Sequence, residues 1–390
     1  MLDRLSGLDA GARLLAALDG LRGVHLVGGA VRDLLLERTP AELDLLAEAD
    51  GPAIARTLAE RVGGELRVHE TFGTATVAAG DLRCDVATAR AEDYPRPGAL
   101  PVVRPGTLEE DMARRDFTIN AIAVGLSDDV RGTVTSFPGA MADLDARRLR
   151  VLHERSFVDD PTRLIRMVRY GTRLGLVLDP RTEQLARAAL ASAAPVTAGL
   201  PRMARELWLL LGEEAAIAGL LLLDELGAGD AWNTDSDVLR RLLDLLPADA
   251  SREHALLAAL GRDVPPEELD AWLREAHIPR PEIVLDAAAD PDALARAMAT
   301  TRRRSDLAAA VRGRSPEAIT VAGAVAAPMH ARHWLGDLRH RTLAISGADL
   351  LAAGVPQGPE LGARLDRARA AMLDGDADSR DEQLAVALGS

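Results

Sequence analysis

The sequence contains no lysine, so all 46 of its basic residues are arginines. Such a bias is typical of a GC-rich genome, and the abundance of arginine is therefore by itself no evidence of phosphate binding. Aromatic residues make up only 3% of the chain, which leaves leucine, alanine and valine to pack its cores. The single cysteine, Cys84, excludes a disulfide within the chain and fits a reducing cytoplasm.

Long hydrophobic runs are also missing. The longest, around Ala215 to Leu223, is too short to span a bilayer, and the N-terminus shows no signal-peptide pattern. We therefore predict a cytoplasmic protein with no membrane partner. Hydrophobic residues make up 48% of the chain and charged residues 27%, a composition that supports real cores and excludes disorder.

The net charge of −14 argues at first sight against a nucleic-acid partner, but such binding depends on a local basic face rather than on the sum. A helix predicted after Asp160 carries such a face, since its arginines fall within an arc of roughly 120° and apolar residues fill the opposite side. These arginines are Arg163, Arg166, Arg169 and Arg173. A solvated face of an amphipathic helix is the alternative interpretation.

The length of 390 residues predicts more than one domain. Strand and helix signals mix up to about Leu126, and from Ala142 onward the chain is predicted to be helical. Residues 69–79 and 82–90 look like paired strands. Residues 91–106 are rich in proline, glycine and charge, and we predict a long mobile loop there. No heptad seam is present, and the sequence carries no prediction of an oligomeric state.

The stretch from Val24 to Leu46 reads as strand, Gly-Gly turn, helix, loop and second strand. Gly28 and Gly29 allow a tight turn that comes close to a ligand. The first amides of the helix predicted over residues 30–37 are suited to face a phosphate, with Arg32 nearby. A surface turn is the alternative interpretation.

Two carboxylates follow on the second strand of this stretch. Glu42 and Asp44 are two residues apart, a spacing that places both side chains on one face of a strand. Two carboxylates beside a phosphate cradle suit a site that holds a divalent metal against a nucleoside triphosphate.

A second cluster lies at Arg114 to Ala123, RRDFTINAIA. Arg114 and Arg115 next to Asp116 are able to clamp triphosphate oxygens, because the guanidinium fork matches phosphate. Asn120 is suited to contact a sugar hydroxyl or to hold a neighbouring backbone. Taken alone, the RRD triplet is common on protein surfaces.

The third cluster, Ser156 to Tyr170, contains a helix start at Asp160-Pro161. Asp160 is suited to cap this helix, with proline at its first position. Asp160 and Arg163 also lie three apart and face the same way. An aspartate there accepts a hydrogen bond from the exocyclic amino group that C and A have, and an arginine donates to the adjacent ring nitrogen. Both interpretations, cap and base reader, remain open at this point.

Together and in this order, GGAVRD with its acidic strand, RRDFTINAIA and the DDPTR helix resemble the class II tRNA nucleotidyltransferases. These enzymes belong to the polymerase-β-like superfamily, which includes CCA-adding enzymes and bacterial poly(A) polymerases. The segments HETFGTATV, ATARAEDYPRPGALPVV, LPRMARELWLLL and ISGADLLAAGVPQGPELGARL are also similar to the family. The resemblance therefore covers nearly the whole chain.

The resemblance implies an α+β head, with a polymerase-β-like mixed sheet and helices, followed by an all-α neck, body and tail. It implies a nucleotidyltransferase head over residues 1–141, a helical neck with the base-reading helix over 142–205, a helical body over 206–320 and a tRNA-binding tail over 321–390. Arg202 and Glu206 fall in the motif that braces the neck.

The resemblance also implies a role for each site residue. Glu42 and Asp44 would be catalytic ligands of Mg²⁺, and Asp85 is a candidate third carboxylate, with a strand-end aspartate as the alternative. The nucleotide-binding residues would be Gly28, Gly29 and Arg32 at the triphosphate, Arg114, Arg115, Asp116 and Asn120 at phosphate and ribose, and Asp160, Arg163, Arg166 and Arg169 on the base-reading helix. Cys84 is predicted to be a packed core thiol.

The implied function is template-independent addition of C and A to the tRNA 3′ end from CTP and ATP, with release of pyrophosphate. The segment 91–106 favours full CCA addition, because related enzymes that stop after two C residues tend to lack it. An enzyme that adds only the terminal A is the alternative. Poly(A) polymerase ranks lower, since FGTATV and the C-terminal tail look like tRNA enzymes.

Two departures from the family pattern bear on these expectations. Glu42 stands where the family usually has aspartate, and Mg²⁺ is sensitive to one extra methylene because it demands near-octahedral geometry. This substitution motivates a further alternative, a catalytically inactive RNA-binding homologue. The hinge segment, which usually carries an aspartate and paired glycines, has Ser136, Gly139 and Ala140 instead.

Overall fold

The computed structural model describes residues 1–69, 73–192, 194–228 and 232–389. The chain divides into two compact units, Met1–Glu206 and Leu207–Ser390. The finer division into head, neck, body and tail stays a prediction.

The first unit is built around a mixed β-sheet. The strands of the described residues are β1 Val24–Val27, β2 Leu43–Ala47, β3 Glu65–His69, β4 Thr74–Ala79, β5 Leu82–Thr88, β6 Arg90–Asp93, β7 Val102–Pro105, β8 Ile122–Gly125, β9 Val134–Ser136, β10 Arg148–Leu149 and β11 Val177–Leu178. The main sheet of this described part has the order β3-β4-β5-β2-β1-β8-β9, and β2 runs parallel to β5 but antiparallel to β1. Strands β1 and β8 are buried along their whole length. The predicted mixed sheet is thereby confirmed.

Several helices of the first unit begin or end at recognisable sequence signals. They are α1 Leu2–Ser6, α2 Asp9–Ala17, α3 Gly29–Leu35, α4 Gly51–Val62, α5 Leu108–Ala113, α6 Ala140–Asp145, α7 Ser156–Asp159, α8 Thr162–Leu174, α9 Pro180–Leu190, α10 Ala194–Thr197 and α11 Leu200–Leu211, which ends in the second unit. Asp50 caps α4 through the amide of Ala53, and Gly63 ends that helix at φ +65°. Thr107 and Glu110 form a capping box at the start of α5.

The second unit is helical throughout its described residues. Its α-helices are α12 Ala216–Leu223, α13 Ser236–Leu245, α14 Arg252–Leu260, α15 Pro266–Glu275, α16 Pro281–Ala288, α17 Pro291–Ala299, α18 Arg304–Ala310, α19 Pro316–Val325, α20 Pro328–Gly336, α21 Gly347–Ala352, α22 Pro359–Asp374 and α23 Arg380–Leu388. The described residues of α14 from His254 to Leu260 are all buried. A separate apolar cluster joins α21, α22 and α23 through Leu350, Ala368 and Ala387.

The prediction of a long loop over residues 91–106 is wrong. Strands β6 and β7 pair antiparallel within it, with Arg90 opposite Pro105 and Asp93 opposite Val102. Proline and glycine are concentrated in the connection between the strands, and Pro105 ends β7 rather than interrupting it. Composition therefore indicated irregular structure where only the tip of a hairpin is irregular.

Three smaller predictions also need correction. Strand β5 ends at Thr88 rather than at residue 90, and a short parallel pair, β10 and β11, interrupts the helical region after Ala142. The strand predicted from residue 69 is described from Thr74 onward, while residues 70–72 lie outside the described residues.

Within the described part of the chain, no helix combines the length and the apolar character needed to cross a membrane.

Candidate active site

A cavity of about 770 Å³ in the first unit brings the three sequence clusters together. The predicted site residues that line it are Gly28, Gly29, Arg32, Glu42, Asp44, Arg114, Arg115, Asp116, Asn120, Asp160, Arg163 and Arg166. Two further predicted residues, Asp85 and Arg169, do not belong to the lining formed by the described residues. Tyr94 and Tyr170 contribute aromatic rings that the sequence analysis did not assign to the site.

The Gly-Gly turn connects β1 directly to α3. Gly28 has φ +67°, and a Cβ atom there would approach Nη1 of Arg115 to 2.6 Å. The position therefore requires glycine for both its backbone conformation and its close neighbour. Arg32 is buried and donates from Nη1 to Oδ1 of Asn120 at 2.6 Å, so it connects the turn to the RRD segment.

Two carboxylates that line the cavity, those of Glu42 and Asp44, lie beside a third, that of Asp85. Asp44 on β2 is paired in register with Asp85 on β5, and Glu42 stands just before β2 rather than on the strand as predicted. Carboxylate oxygens of the three residues lie within 4.8 Å of one another. Burial, followed by the charge of Asp85, raises the pKa of Asp44 to about 6.

This acidic cluster fits a divalent cation. Its ligand atoms are all carboxylate oxygens, the donors that hard cations prefer. Burial raises the pKa of Asp44 most, the charges of Asp85 and Glu42 raise it further, and Arg115 and Arg32 oppose this rise only in part. Glu42 contacts Nε of Arg83 at 3.0 Å, and Asp85 accepts from the hydroxyl of Thr76 at 2.6 Å. The strand-end interpretation of Asp85 is wrong, because the residue lies within β5.

Asp116 is held firmly between the RRD segment and α8. Its Oδ1 accepts from the backbone amide of Phe117 and from the side-chain amide of Asn120, both at 2.9 Å. Its Oδ2 accepts from Nε and Nη2 of Arg166, at 3.0 and 2.7 Å. Burial alone would raise the pKa of Asp116, but the charge of Arg166 and these hydrogen bonds outweigh it and hold the pKa below its usual value.

Asp160 accepts from the first amide of α8 and lines the cavity, although Pro161 rather than Asp160 stands directly before this helix. Its Oδ1 accepts from the backbone amide and the hydroxyl of Thr162, at 3.2 and 2.7 Å, at the start of α8. The same atom accepts from Nη2 of Arg202 at 2.9 Å. The helix begins at Thr162, one residue later than predicted. The two interpretations of Asp160 are therefore compatible.

Arg163 is buried beside Asp160, with its guanidinium group fixed by neutral acceptors. Nη1 donates to the hydroxyl of Ser156 and Nη2 to the carbonyl of Arg114, both at 2.9 Å. The group therefore lines the cavity in one defined orientation. Ser156, which is fully buried, is a contact that the sequence analysis missed.

Two of the other arginines of α8, Arg166 and Arg169, are partly buried in ion pairs and do not form the solvated basic face of the alternative interpretation, whereas Arg173 is exposed. Arg166 contacts Glu206 at 3.4 Å, and Arg169 contacts it at 2.5 Å. Arg173 and Arg166 lie against the ring of Tyr170. Periodicity located this face correctly but gave no sign of Glu206, which is 37 residues or more away in sequence.

The chain is similar to a known family model and to several tRNA nucleotidyltransferases. A family model described as the Poly A polymerase head domain matches residues 24–150. The A-adding tRNA nucleotidyltransferase of Geobacter sulfurreducens is 34% identical over 94% of this chain and 45% of that protein. The CC-adding enzyme of Deinococcus radiodurans is 35% identical (92% and 87% covered), and the CCA-adding enzyme of Geobacillus stearothermophilus is 32% identical (92% and 91%).

Solved structures of CCA-adding enzymes have a similar fold over the full length of the chain. A CCA-adding enzyme in complex with CTP has a TM-score of 0.83 at 26% identity, with 100% of this chain and 97% of that chain covered. The Thermotoga maritima CCA-adding enzyme in complex with tRNA has a TM-score of 0.80 at 25% identity, with 100% and 98% covered. The chain belongs to the tRNA nucleotidyltransferase family. It nevertheless spans about half or less of the length of several A-adding relatives, from 27% to 48%.

Proposed function

We propose that this chain catalyses template-independent addition of C and A to the 3′ end of tRNA from CTP and ATP. The observation that carries the proposal is the cavity in which the Gly28 turn, the acidic cluster and the Asp160–Arg163 pair meet. The named activities of the relatives and the CTP and tRNA complexes of the structural neighbours support it.

The residues divide into parts with separate tasks. The Gly28 turn and Arg115 bind the triphosphate and orient its α-phosphate. Glu42, Asp44 and Asp85 would hold Mg²⁺, which neutralises phosphate charge and lowers the pKa of the attacking hydroxyl. The 3′ oxygen of tRNA forms a bond to the α-phosphorus, the bond to the β-phosphate oxygen breaks, and pyrophosphate leaves. The chain contributes chiefly position and charge.

Base selection falls to Asp160 and Arg163. The Asp160 carboxylate accepts from the exocyclic amino group of C or A, and Arg163 donates to the adjacent ring nitrogen. U and G carry a carbonyl oxygen at the position where C and A carry this amino group, so the carboxylate finds an acceptor there instead of a donor. Arg202 and Ser156 hold the two reading groups in place.

A second candidate is addition of the terminal A alone. The 34% identity to an A-adding enzyme across 94% of this chain favours it. The β6–β7 hairpin is compatible with both candidates, since each requires A addition. Both use the same cavity and the same residues.

One experiment distinguishes these candidates. Labelled CTP, ATP, UTP and GTP are supplied separately with Mg²⁺ to tRNAs that end before the first C, after one C and after two C residues. Full addition extends all three tRNAs, whereas A-only addition extends only the last. An absence of any incorporation would support the inactive RNA-binding homologue. Asp44→Ala is expected to abolish incorporation, and Glu60→Ala, at an exposed acid of α4, serves as its control.

A further inference from the structure

A carboxylate that the motifs did not single out lies behind the two arginines of the RRD segment. Asp111 is on α5 and has no exposed surface. Its Oδ2 accepts from Nε and Nη2 of Arg114, at 2.9 and 2.6 Å. Its Oδ1 accepts from Nη2 of Arg115 at 3.1 Å. One buried carboxylate therefore contacts both guanidinium groups.

Helix spacing explains this arrangement. Arg114 and Arg115 follow Asp111 by three and four residues at the end of α5, so both side chains reach back to the same turn. Burying an ionised carboxylate is strongly unfavourable unless it is paired and hydrogen-bonded. Asp111 and the two arginines consequently fix one another's positions.

The two arginines differ in what else they contact. Arg114 has a second carboxylate, because its Nη1 donates to Oε1 of Glu92 at 3.0 Å. Arg115 instead reaches the phosphate cradle, where its Nη1 donates to the carbonyl of Asn120 at 3.3 Å and stands against Gly28. Arg114 therefore ties the β6–β7 hairpin to α5, while Arg115 faces the cavity at the turn.

Asp111 also supports the charge of Arg115. Burial lowers the pKa of Arg115, and Asp111 is the main group that opposes this effect. The Nε atom of Arg115 is buried and has no hydrogen-bond partner among the described residues. The orientation of the Arg115 guanidinium group therefore depends on its two Nη groups, one of which donates to Asp111.

We propose that Asp111 is a positioning residue for the triphosphate, which acts by orienting Arg115. The inference rests on the proposed function, in which Arg115 binds the triphosphate. Asp111 does not touch the nucleotide itself. Its loss weakens recognition of the β- and γ-phosphates and leaves recognition of base and ribose intact.

The test compares ATP with AMP, which shares the base and ribose but lacks the outer phosphates. In the incorporation assay with tRNA ending in two C residues, Asp111→Asn is expected to raise the KM for ATP about tenfold. The inhibition constant of AMP is expected to stay unchanged. Glu109→Gln, at an exposed acid on the same helix, is the matched control and should alter neither constant.

A purely structural role would give a different pattern. Asp111→Asn would then lower the melting temperature and leave the ratio of the two constants unchanged, and this outcome overturns the proposal. In an Arg115→Gln background, Asp111→Asn should not raise the KM for ATP any further. An additional rise would also contradict the proposal. If Asp111→Asn does not fold, Asp111→Glu keeps the charge but moves it, and an unchanged ratio overturns the proposal in the same way.

The proposed function can fail independently. If the wild-type chain incorporates no nucleotide, calorimetric titration of wild type and Asp111→Asn with ATP and with AMP replaces the assay. A selective loss of ATP affinity supports the role of Asp111, and an equal affinity in both proteins overturns it.

Discussion

At the scale of single residues, Asp44 carries the clearest electrostatic signature of the candidate site. Its pKa is raised from 3.8 to about 6, first by burial and then by the charge of Asp85. A carboxylate with a raised pKa binds protons more tightly in the folded state, so its ionisation costs stability above that pH. This loss in the free energy of unfolding is absent below about pH 4 and complete above about pH 6.

We therefore expect Asp44→Asn to stabilise the metal-free protein at pH 8, by about 1 to 3 kcal/mol, and to have little effect at pH 4. Urea unfolding at both pH values measures this difference. Mg²⁺ is expected to stabilise the wild type at pH 8 and not the variant, because the variant lacks a carboxylate ligand. Glu42→Gln is the comparison variant in the urea unfolding measurements, since the Glu42 side chain is half-exposed beside Arg83. A less stable Asp44→Asn protein at pH 8 without metal would contradict the assignment.

Asp160 permits a separation of helix capping from base reading. Asp160→Ala is expected to cost about 1 kcal/mol as a lost cap, and to relax selectivity against UTP and GTP by ten- to a hundredfold or so. Asp179→Ala removes a comparable cap from α9, and Asp179 does not line the cavity. Nucleotide competition assays and melting temperatures distinguish the two effects. Equal selectivity in both variants would leave Asp160 with the capping role alone.

The sequence predicted those site residues whose roles depend on local spacing. Gly28 stands between a strand and a helix, and Asp44 lies on a buried strand, so pattern and motif located both. The partners of these residues were not predictable in the same way. Glu42 contacts Arg83, and Arg166 contacts Asp116, across 41 and 50 residues. Such pairs depend on how elements pack, which periodicity does not encode.

At the scale of elements, the β6–β7 hairpin shows where composition misleads. Its proline-rich connection suggested a mobile loop, yet Gly98 is anchored at two points. The Gly98 amide donates to the carbonyl of Val158 at 3.1 Å, and its carbonyl accepts from Arg202 at 2.8 Å. Since Arg202 also contacts Asp160, the hairpin tip and the start of α8 share one arginine.

We expect Gly98→Ala to disturb this connection. Gly98 has φ +66°, and a Cβ atom there would meet backbone and side-chain atoms of Thr197 at 2.3 Å. Gly63→Ala is the matched control, because Gly63 has φ +65° with open space around it, so it reports the backbone cost of about 1 kcal/mol alone. Gly98→Ala should destabilise more than this control and should also reduce selectivity against UTP. Identical behaviour of the two variants would show that the contact with Thr197 is unimportant.

At the scale of the whole molecule, the net charge is distributed unevenly, because the arginines are. Residues 1–206 contain 27 arginines against 30 acidic residues, whereas residues 207–390 contain 19 against 30. If tRNA is the substrate, as proposed, this polyanion would bind local arginines on a chain whose net charge is negative. The predicted tRNA-binding tail offers Arg367 and Arg369, which are exposed on α22.

If the tail binds tRNA as the sequence predicts, Arg367→Gln should weaken tRNA binding and lower the slope of log affinity against log salt concentration by about 1, the loss of one phosphate contact. The KM for ATP should not change, since Arg367 lies in the second unit and the candidate site in the first. Arg240→Gln is the control, because Arg240 is exposed on α13 next to Asp237 and belongs to the predicted body. Filter binding at several salt concentrations measures both slopes. An unchanged slope for Arg367→Gln, or an equal loss in the control, would place the tRNA path away from α22.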